Sequence, residues 1–265
     1  MCTTCGCDPN DHDHDHDQDH EHTDDHNHDH KHNHDHHHKH SHQQTGETKR
    51  SSIVIEEDIL GKNNRLAALN RALFQDKGLF VLNLVSSPGS GKTTLLERTL
   101  RDQSDRVGFA VIEGDQQTDN DARRIAATGV PVKQINTGSG CHLDAHMVAH
   151  ANQTFDLERL DILMIENVGN LVCPASFDLG EHHKVVILSV TEGEDKPLKY
   201  PQMFRNSTIM LLNKIDLLPH LDFDVEKCKE NARKVSPGIT IFEVSARTGE
   251  GMERWYQWLN SGIKP

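Results

Sequence analysis

The stretch LFVLNLV (79–85) is an apolar run, followed at once by Ser86-Ser87-Pro88-Gly89-Ser90-Gly91-Lys92-Thr93 and then by the helical pattern TTLLERTLRDQ. An apolar run without polar alternation is what a strand buried on both faces requires. The turn fits G-x-x-x-x-G-K-[ST], except that Ser86 stands where the first glycine is usual. Gly89 and Gly91 let backbone N–H groups curl around phosphate oxygens, and Ser90 and Thr94 belong to the same loop. Lys92 is placed to reach β- and γ-phosphates, and the Thr93 hydroxyl to bind Mg²⁺. The plainer alternative is a Gly/Ser turn that binds nothing. The strand before, the helix after and the Lys-Thr pair disfavour it.

The same alternation continues to the end of the chain. Strands are expected at 107–114, 130–136, 160–167, 184–190, 207–214 and 239–246, with helical segments between them and a closing helix at GMERWYQWLN. CHLDAHMVAHANQ (141–153) reads as helical. Ahead of the first strand, apolar residues at 55, 59, 60, 66, 69 and 73 predict one or two helices ending at Gly78, after a polar hinge at 46–52. The implied fold class is α/β: a P-loop NTPase-like, mainly parallel sheet flanked by helices, with ligands at the carboxyl ends of the strands.

Those ends carry chemistry. Asn213-Lys214-Ile215-Asp216 closes the sixth strand, and an Asp there can accept from the ring N–H and exocyclic amine of guanine together. Ser245-Ala246-Arg247 follows the last strand, where it would meet the base from the other side. Each motif alone is weak, but in this order behind the phosphate loop they specify guanine. Glu166 ends the fourth strand where a Walker-B carboxylate belongs, and Gly169 follows as a γ-phosphate sensor. Asp115, with Asp119 and Asp121 behind it, is the switch candidate after the second strand. Read as bystanders, these are ordinary surface acids. No Gln is placed to orient the attacking water, so intrinsic hydrolysis is expected to be slow.

The first fifty residues are of another kind. MCTTCGC precedes an Asp/His run with fifteen histidines before residue 43, and almost nothing apolar accompanies them. Such a segment cannot bury enough surface to offset chain entropy, so residues 1–50 are expected to be a disordered metal-binding tail and 51–265 a single domain. The tail carries twelve acids against four Lys/Arg, so −8 of the net −13 lies there. An acidic tail on a mildly acidic domain argues against nucleic acid and anionic membrane as partners. With no apolar run of membrane length and no signal-peptide pattern, the chain reads as cytoplasmic. In a reducing compartment, clustered cysteines point to metal or catalysis rather than disulfides.

Cys141-His142 is predicted to start a helix, with His146 and His150 following on one face. Cys173, in the IENVGNLVCP segment, lies seven residues beyond Glu166. That segment is the one expected to move when a γ-phosphate is lost, so a metal held there would sense nucleotide. Taken singly, three histidines at helical spacing make a solvated face, and a lone cysteine is buried and inert. The Cys-His and Cys-Pro pairs shift the reading toward metal for Cys141, His142 and Cys173, with His146 and His150 evenly balanced between ligand and solvated face. Cys228, on an amphipathic helix, reads as structural. Two or three ligands from one chain are few. A GTP-dependent homodimer would double them, with Lys196 or Lys199 of the 191–201 loop reaching a neighbour's phosphates.

In VSSPGSGKTTLL, EGDQQTDNDA, NTGSGCHLDAH, IENVGNLVCP, NKIDLL and the leading CTTCGC, the chain resembles the hydrogenase nickel-incorporation GTPases of the HypB type, SIMIBI-class P-loop GTPases. The resemblance implies GTP hydrolysis linked to nickel delivery into a [NiFe]-hydrogenase large-subunit precursor, with a zinc-finger nickel chaperone as partner. It implies a tight nickel site at Cys2, Cys5 and Cys7, and a weaker Ni²⁺ or Zn²⁺ site at Cys141, His142 and Cys173. Alternatives are a urease accessory GTPase, or a nickel/zinc buffer in which nucleotide is incidental. Ala175 after Cys173-Pro174, where urease accessory relatives carry His, disfavours the first. The intact guanine motif disfavours the second, and also a small-molecule kinase.

The histidine run, with imidazole pKa near ~6.5, reads as a low-affinity nickel reservoir. A linker of some forty residues spans ~35 Å as a flexible coil, enough to carry the tail's cysteines over Cys141 and Cys173. Cys2 is small enough for Met1 to be removed, which would leave an amine beside three thiolates, a set suited to square-planar Ni²⁺; tetrahedral Zn²⁺ could also use the sulfurs. Acetylating that amine should then weaken nickel binding strongly in a competition titration, and unchanged affinity would remove the amine from the site.

Overall fold

Strands that are apolar on both faces must be covered on both, which is what helical crossovers between parallel strands achieve. A computed structural model describes residues 45–263, with side chains over 57–263. The chain divides into two units, Met1–Ile55 and Glu56–Pro265. Of the first only the backbone over 45–55 is described; Cys2, Cys5, Cys7 and the histidine run lie outside the described residues.

Helix α1 (Thr45–Asp76) leads into β1 (Phe80–Ser86) and α2 (Lys92–Gln103). Then come β2 (Phe109–Asp115), α3 (Asn120–Ala126), β3 (Val132–Asn136), α4 (Ala145–Asn152), β4 (Ile162–Glu166) and β5 (His183–Ser189). The short α5 (Lys196–Lys199) and α6 (Pro201–Asn206) lead to β6 (Ile209–Asn213), and α7 (Val225–Val235), β7 (Thr240–Glu243) and α8 (Met252–Ser261) complete the chain. The sheet has seven strands in the order β3-β2-β4-β1-β5-β6-β7, and every pair is parallel. This is the expected α/β class. The order reverses around β1, which opens a crevice at its carboxyl end.

Strand parity divides the core. Leu82 and Leu84 of β1 pack with Leu96 and Leu100 of α2 and Trp255 of α8 on one face. Val81 joins Phe74 of α1 and Val148 of α4 on the other, where Val85 meets Phe204 of α6 and Cys228 of α7. Burial pushes the Cys228 thiol up to about 12, so it is an inert core side chain. Among the described residues no helix is long and apolar enough to cross a membrane.

The structure changes three local expectations. The 46–52 segment is helical rather than a hinge: it holds no proline, and extending a nucleated helix is inexpensive. The face that α1 buries is not its apolar one: Asn63, Ala67, Asn70 and Phe74 are buried, while Ile59 and Leu69 are 52% and 67% exposed. The surface beneath is made of loop ends with backbone groups to satisfy. Asn63 Oδ1 accepts from Ala145 N (2.9 Å), and Asn70 Nδ2 donates to the carbonyls of Ala145 (2.8 Å) and Leu179 (3.0 Å). Gly180, at φ +93°, packs so closely there that a Cβ would lie 2.7 Å from Ala67 O. Finally, α4 starts at Ala145, because the Asp144 side chain caps it by accepting from Met147 N at 2.8 Å. Cys141 and His142 are therefore on the preceding loop.

Replacing Asn70 strands two buried carbonyls, each worth ~1–3 kcal/mol unsatisfied. Asn70→Ala should lower unfolding stability in urea by about 2–4 kcal/mol with an unchanged m-value. A loss below ~0.5 kcal/mol would mean that α1 docks by other means.

Candidate functional site

A cleft of 560 Å³ opens at the carboxyl end of β1 between the 86–94 loop, the end of β2 and Gly169. The loop is glycine-dependent for two reasons at Gly91: φ is +92°, and a Cβ would lie 2.6 Å from Asn213 Nδ2. Asn213 is the hub of this corner. Its Nδ2 donates to Ser90 O (3.0 Å) and its Oδ1 accepts from Ala246 N (3.1 Å), so one buried amide ties together the loop, β6 and the Ser245-Ala246-Arg247 turn. Lys214, in the left-handed region at φ 64°, donates from Nζ to Gly89 O at 2.6 Å. Ser245 Oγ donates to Asp216 Oδ1 (2.6 Å), fixing the carboxylate that would face a base, while Arg247 is exposed. Gly169 lies against the loop, where a Cβ would be 3.3 Å from Pro88 Cγ.

On the β2/β4 side the carboxylates converge. Lys92 Nζ lies 2.8 Å from Glu166 Oε1, and Thr93 Oγ1 donates to the same oxygen at 2.6 Å. Glu113, paired with Glu166 across the β2–β4 ladder, is 2% exposed. Among the described residues neither Glu113 Oε2 nor Glu166 Oε2 has a hydrogen-bond partner, although both are buried. Burial, then the charges of Glu166 and Asp115, push the Glu113 carboxyl up to about 8. Asp115 goes the other way. Burial raises it, but the backbone amides of Gln117, Thr118 and Gln116 outweigh that and hold it below the usual carboxylate range. Asp119 pairs with Arg123 (2.6 Å) and Asp121 with Arg124 (3.2 Å), so both are committed to ion pairs around α3.

The second cluster is formed by Cys141, His142 and Cys173, whose ligand atoms all lie within 4.8 Å of one another, each half-buried. Cys141 Sγ is 3.6 Å from His142 Nδ1, and the His142 ring packs on Phe177 at a 38° tilt with centroids 3.9 Å apart. Burial pushes the imidazole below the ordinary histidine value, against the pull of Asp144, and so toward the neutral form a metal requires. Two thiols and a neutral imidazole suit a borderline divalent cation. His146 does not join them: its Nε2 is 3.1 Å from that of His150, on the exposed side of α4.

Several residues of the site were not legible as functional in the sequence. Glu113 looked like one more strand residue. Asn167 accepts at Oδ1 from Leu143 N and Val168 N, both at 3.0 Å, and donates from Nδ2 to Asn83 Oδ1 (3.2 Å). Gln116 Nε2 donates to Gly140 O (3.2 Å). Lys184, within a strand otherwise read as apolar, donates to the carbonyls of Pro174 (2.9 Å), Ala175 (3.2 Å) and Phe177 (3.0 Å), gripping the chain just after Cys173. Burial pushes its ammonium below the usual lysine value, against the pull of Glu181 and Asp178. The one signal available was a lysine inside an apolar strand. Lys196 and Lys199 are held within their own chain by Glu192 (3.2 Å) and Asp195 (2.8 Å).

Residues 80–243 match the model of the CobW/HypB/UreG nucleotide-binding domain. The hydrogenase maturation factor HypB of Azotobacter vinelandii is 66% identical over 214 residues, 81% of this chain and 71% of that one. That of Escherichia coli K12 is 63% identical over 216 residues, 82% and 74% of the two chains. The crystal structure of HypB from Helicobacter pylori in complex with nickel superposes with a TM-score of 0.72 at 44% identity, covering 76% of this chain and 94% of that one. The chain belongs to the HypB family of hydrogenase maturation factors, on a P-loop GTPase fold.

Proposed function

We propose that the chain is a GTP-hydrolysing metallochaperone that binds Ni²⁺ and delivers it to the large-subunit precursor of a [NiFe]-hydrogenase. The observation that carries this reading is the wall shared by the two sites. The Cys141-His142 loop is held by Gln116 on one side and Asn167 on the other, and these stand directly after Asp115 and Glu166 at the phosphate cleft. The similarity to hydrogenase maturation factors, and the nickel bound to the Helicobacter pylori protein, support it further.

In this mechanism Gly89, Ser90, Gly91, Lys92, Thr93 and Thr94 cradle the phosphates, with the Lys92 ammonium on the β/γ oxygens. Asp216 accepts from guanine, flanked by Asn213, Lys214, Ser245, Ala246 and Arg247. Thr93, Asp115 and Glu166 would hold Mg²⁺, which would supply neutralisation of the negative charge on the phosphates. The donor set fits a hard cation, because the buried, partnerless Glu113 Oε2 and Glu166 Oε2 are oxygens that an ion or its hydration water would satisfy. Gly169 reads the γ-phosphate, and its movement reaches Cys173 four residues on, against the anchor that Lys184 provides. Cys141, His142 and Cys173 take Ni²⁺ or Zn²⁺, and a GTP-dependent homodimer completes the coordination. The cytoplasmic chain receives nickel with a zinc-finger chaperone's help, and its tail stores it on the histidines and holds it tightly at Cys2, Cys5 and Cys7.

The decisive experiment titrates Ni²⁺ into the Cys2/5/7→Ala protein with GDP and with a non-hydrolysable GTP analogue. The affinities should differ by about fivefold or more, and Asn167→Ala should shrink that ratio toward one while nucleotide still binds. Equal affinities in the parent protein would defeat the reading. Intrinsic turnover should lie well below the ~10 s⁻¹ of stimulated GTPases.

Glu113 gives a pH signature. Its carboxyl lies higher in the fold than in the unfolded chain, so its contribution is fully present below pH 4.5 and is lost as pH rises through about 8. In thermal melts without divalent ions or nucleotide, Glu113→Gln should melt increasingly above wild type between pH 5 and 8.5. A constant gap across that range would show that the wild-type group titrates normally.

A further inference from the structure

We propose that His146 and His150 form a second, separate site for a borderline divalent cation on the exposed face of α4. The two are four residues apart on a helix, so their side chains lie one above the other. Both are exposed, and their Nε2 atoms converge to 3.1 Å, with the rings at 72° and centroids 4.5 Å apart. That spacing is a hydrogen bond between the two rings, one nitrogen protonated and the other accepting, and it also matches the bite of a chelate that would replace the shared proton. With metal–nitrogen bonds of ~2.0–2.1 Å, two nitrogens at this separation subtend roughly 100° at a common ion, between the square-planar and tetrahedral angles. Pairs of histidines at i and i+4 on one helical face hold zinc in this way. Imidazole ligands select Zn²⁺, Ni²⁺ and Cu²⁺ over Mg²⁺ or Ca²⁺.

The pair is distinct from the cysteine cluster by construction of the fold. The Asp144 cap starts α4 after His142, so Cys141 and His142 turn toward Cys173 and Phe177 from the preceding loop. Ala145, Val148 and Ala151 occupy the buried side of the helix, leaving the two histidines on the side facing solvent. Two protein ligands leave the remaining positions to water or to an incoming donor, so an ion held here exchanges readily. The site rests on helix geometry alone and stands whether or not the cysteine cluster carries nickel.

The test is diethyl pyrocarbonate footprinting of the full chain at buffered free Zn²⁺ or Ni²⁺, read on the tryptic peptide from Gln134 to Arg159, which carries both residues. Either metal should protect His146 and His150 together, in wild type and in Cys141→Ala alike, and Mg²⁺ should protect neither. In His146→Gln, protection of His150 should need about tenfold more metal or greater, because the chelate is gone. Absence of protection in wild type would overturn the proposal, as would unchanged protection of His150 in His146→Gln. Loss of protection in Cys141→Ala would overturn it too, by assigning both histidines to the cysteine cluster.

Discussion

The Glu166 carboxylate, 1% exposed, receives the Lys92 ammonium and the Thr93 hydroxyl on one oxygen, and the corner at the phosphate loop is built on that contact. A buried ion pair is a poor source of stability, since desolvating two charges offsets most of their attraction. What it provides here is registration. It fixes the end of β4 against the start of α2, so the phosphate loop and the acid stand at one edge of the sheet. The other Glu166 oxygen and Glu113 Oε2 complete a corner where two buried carboxyl oxygens lack a hydrogen-bond partner among the described residues.

One residue beyond that acid, Asn167 turns inward to the loop of the second cluster, and Gln116 does the same from the end of β2. Nothing long or delicate need connect nucleotide to metal. The two clusters share backbone: Gly169 and Cys173 lie on one segment after β4, and Asn167 on that segment holds the loop that carries Cys141 and His142. Lys184 anchors the chain just beyond Cys173 by donating to the carbonyls of Pro174, Ala175 and Phe177. The docking of α1, through Asn63 and Asn70, fixes the start of α4 and the 178–180 turn. Rigid surroundings around a small movable segment are what a two-state switch requires.

Local chemistry was legible in the sequence wherever it is written in contiguous residues. The β1–loop–α2 unit needs a glycine at 91, a lysine at 92 and apolar flanks whatever surrounds it, and the NKID and SAR motifs are equally self-contained. Strand alternation made the α/β class legible, because a parallel sheet must be covered on both faces. Residues joined only through space were not legible. Glu113 and Glu166 become a pair because β2 lies beside β4, an order that no periodicity states. The misread face of α1 has the same origin: its buried stripe is chosen by loop carbonyls and amides that need asparagine, not by its own apolar pattern.

By itself, then, the sequence determined a parallel α/β domain, a phosphate loop, a guanine-type motif and a pair of metal-suited cysteine segments, since each is a property of short-range residue order. Tertiary structure decided the rest. It joined Cys141, His142 and Cys173 from two loops and left His146 with His150, because the Asp144 cap, not histidine spacing, sets where α4 begins. It also placed that cluster against the nucleotide edge, because the strand order puts the ends of β2 and β4 side by side, and only packing fixes strand order.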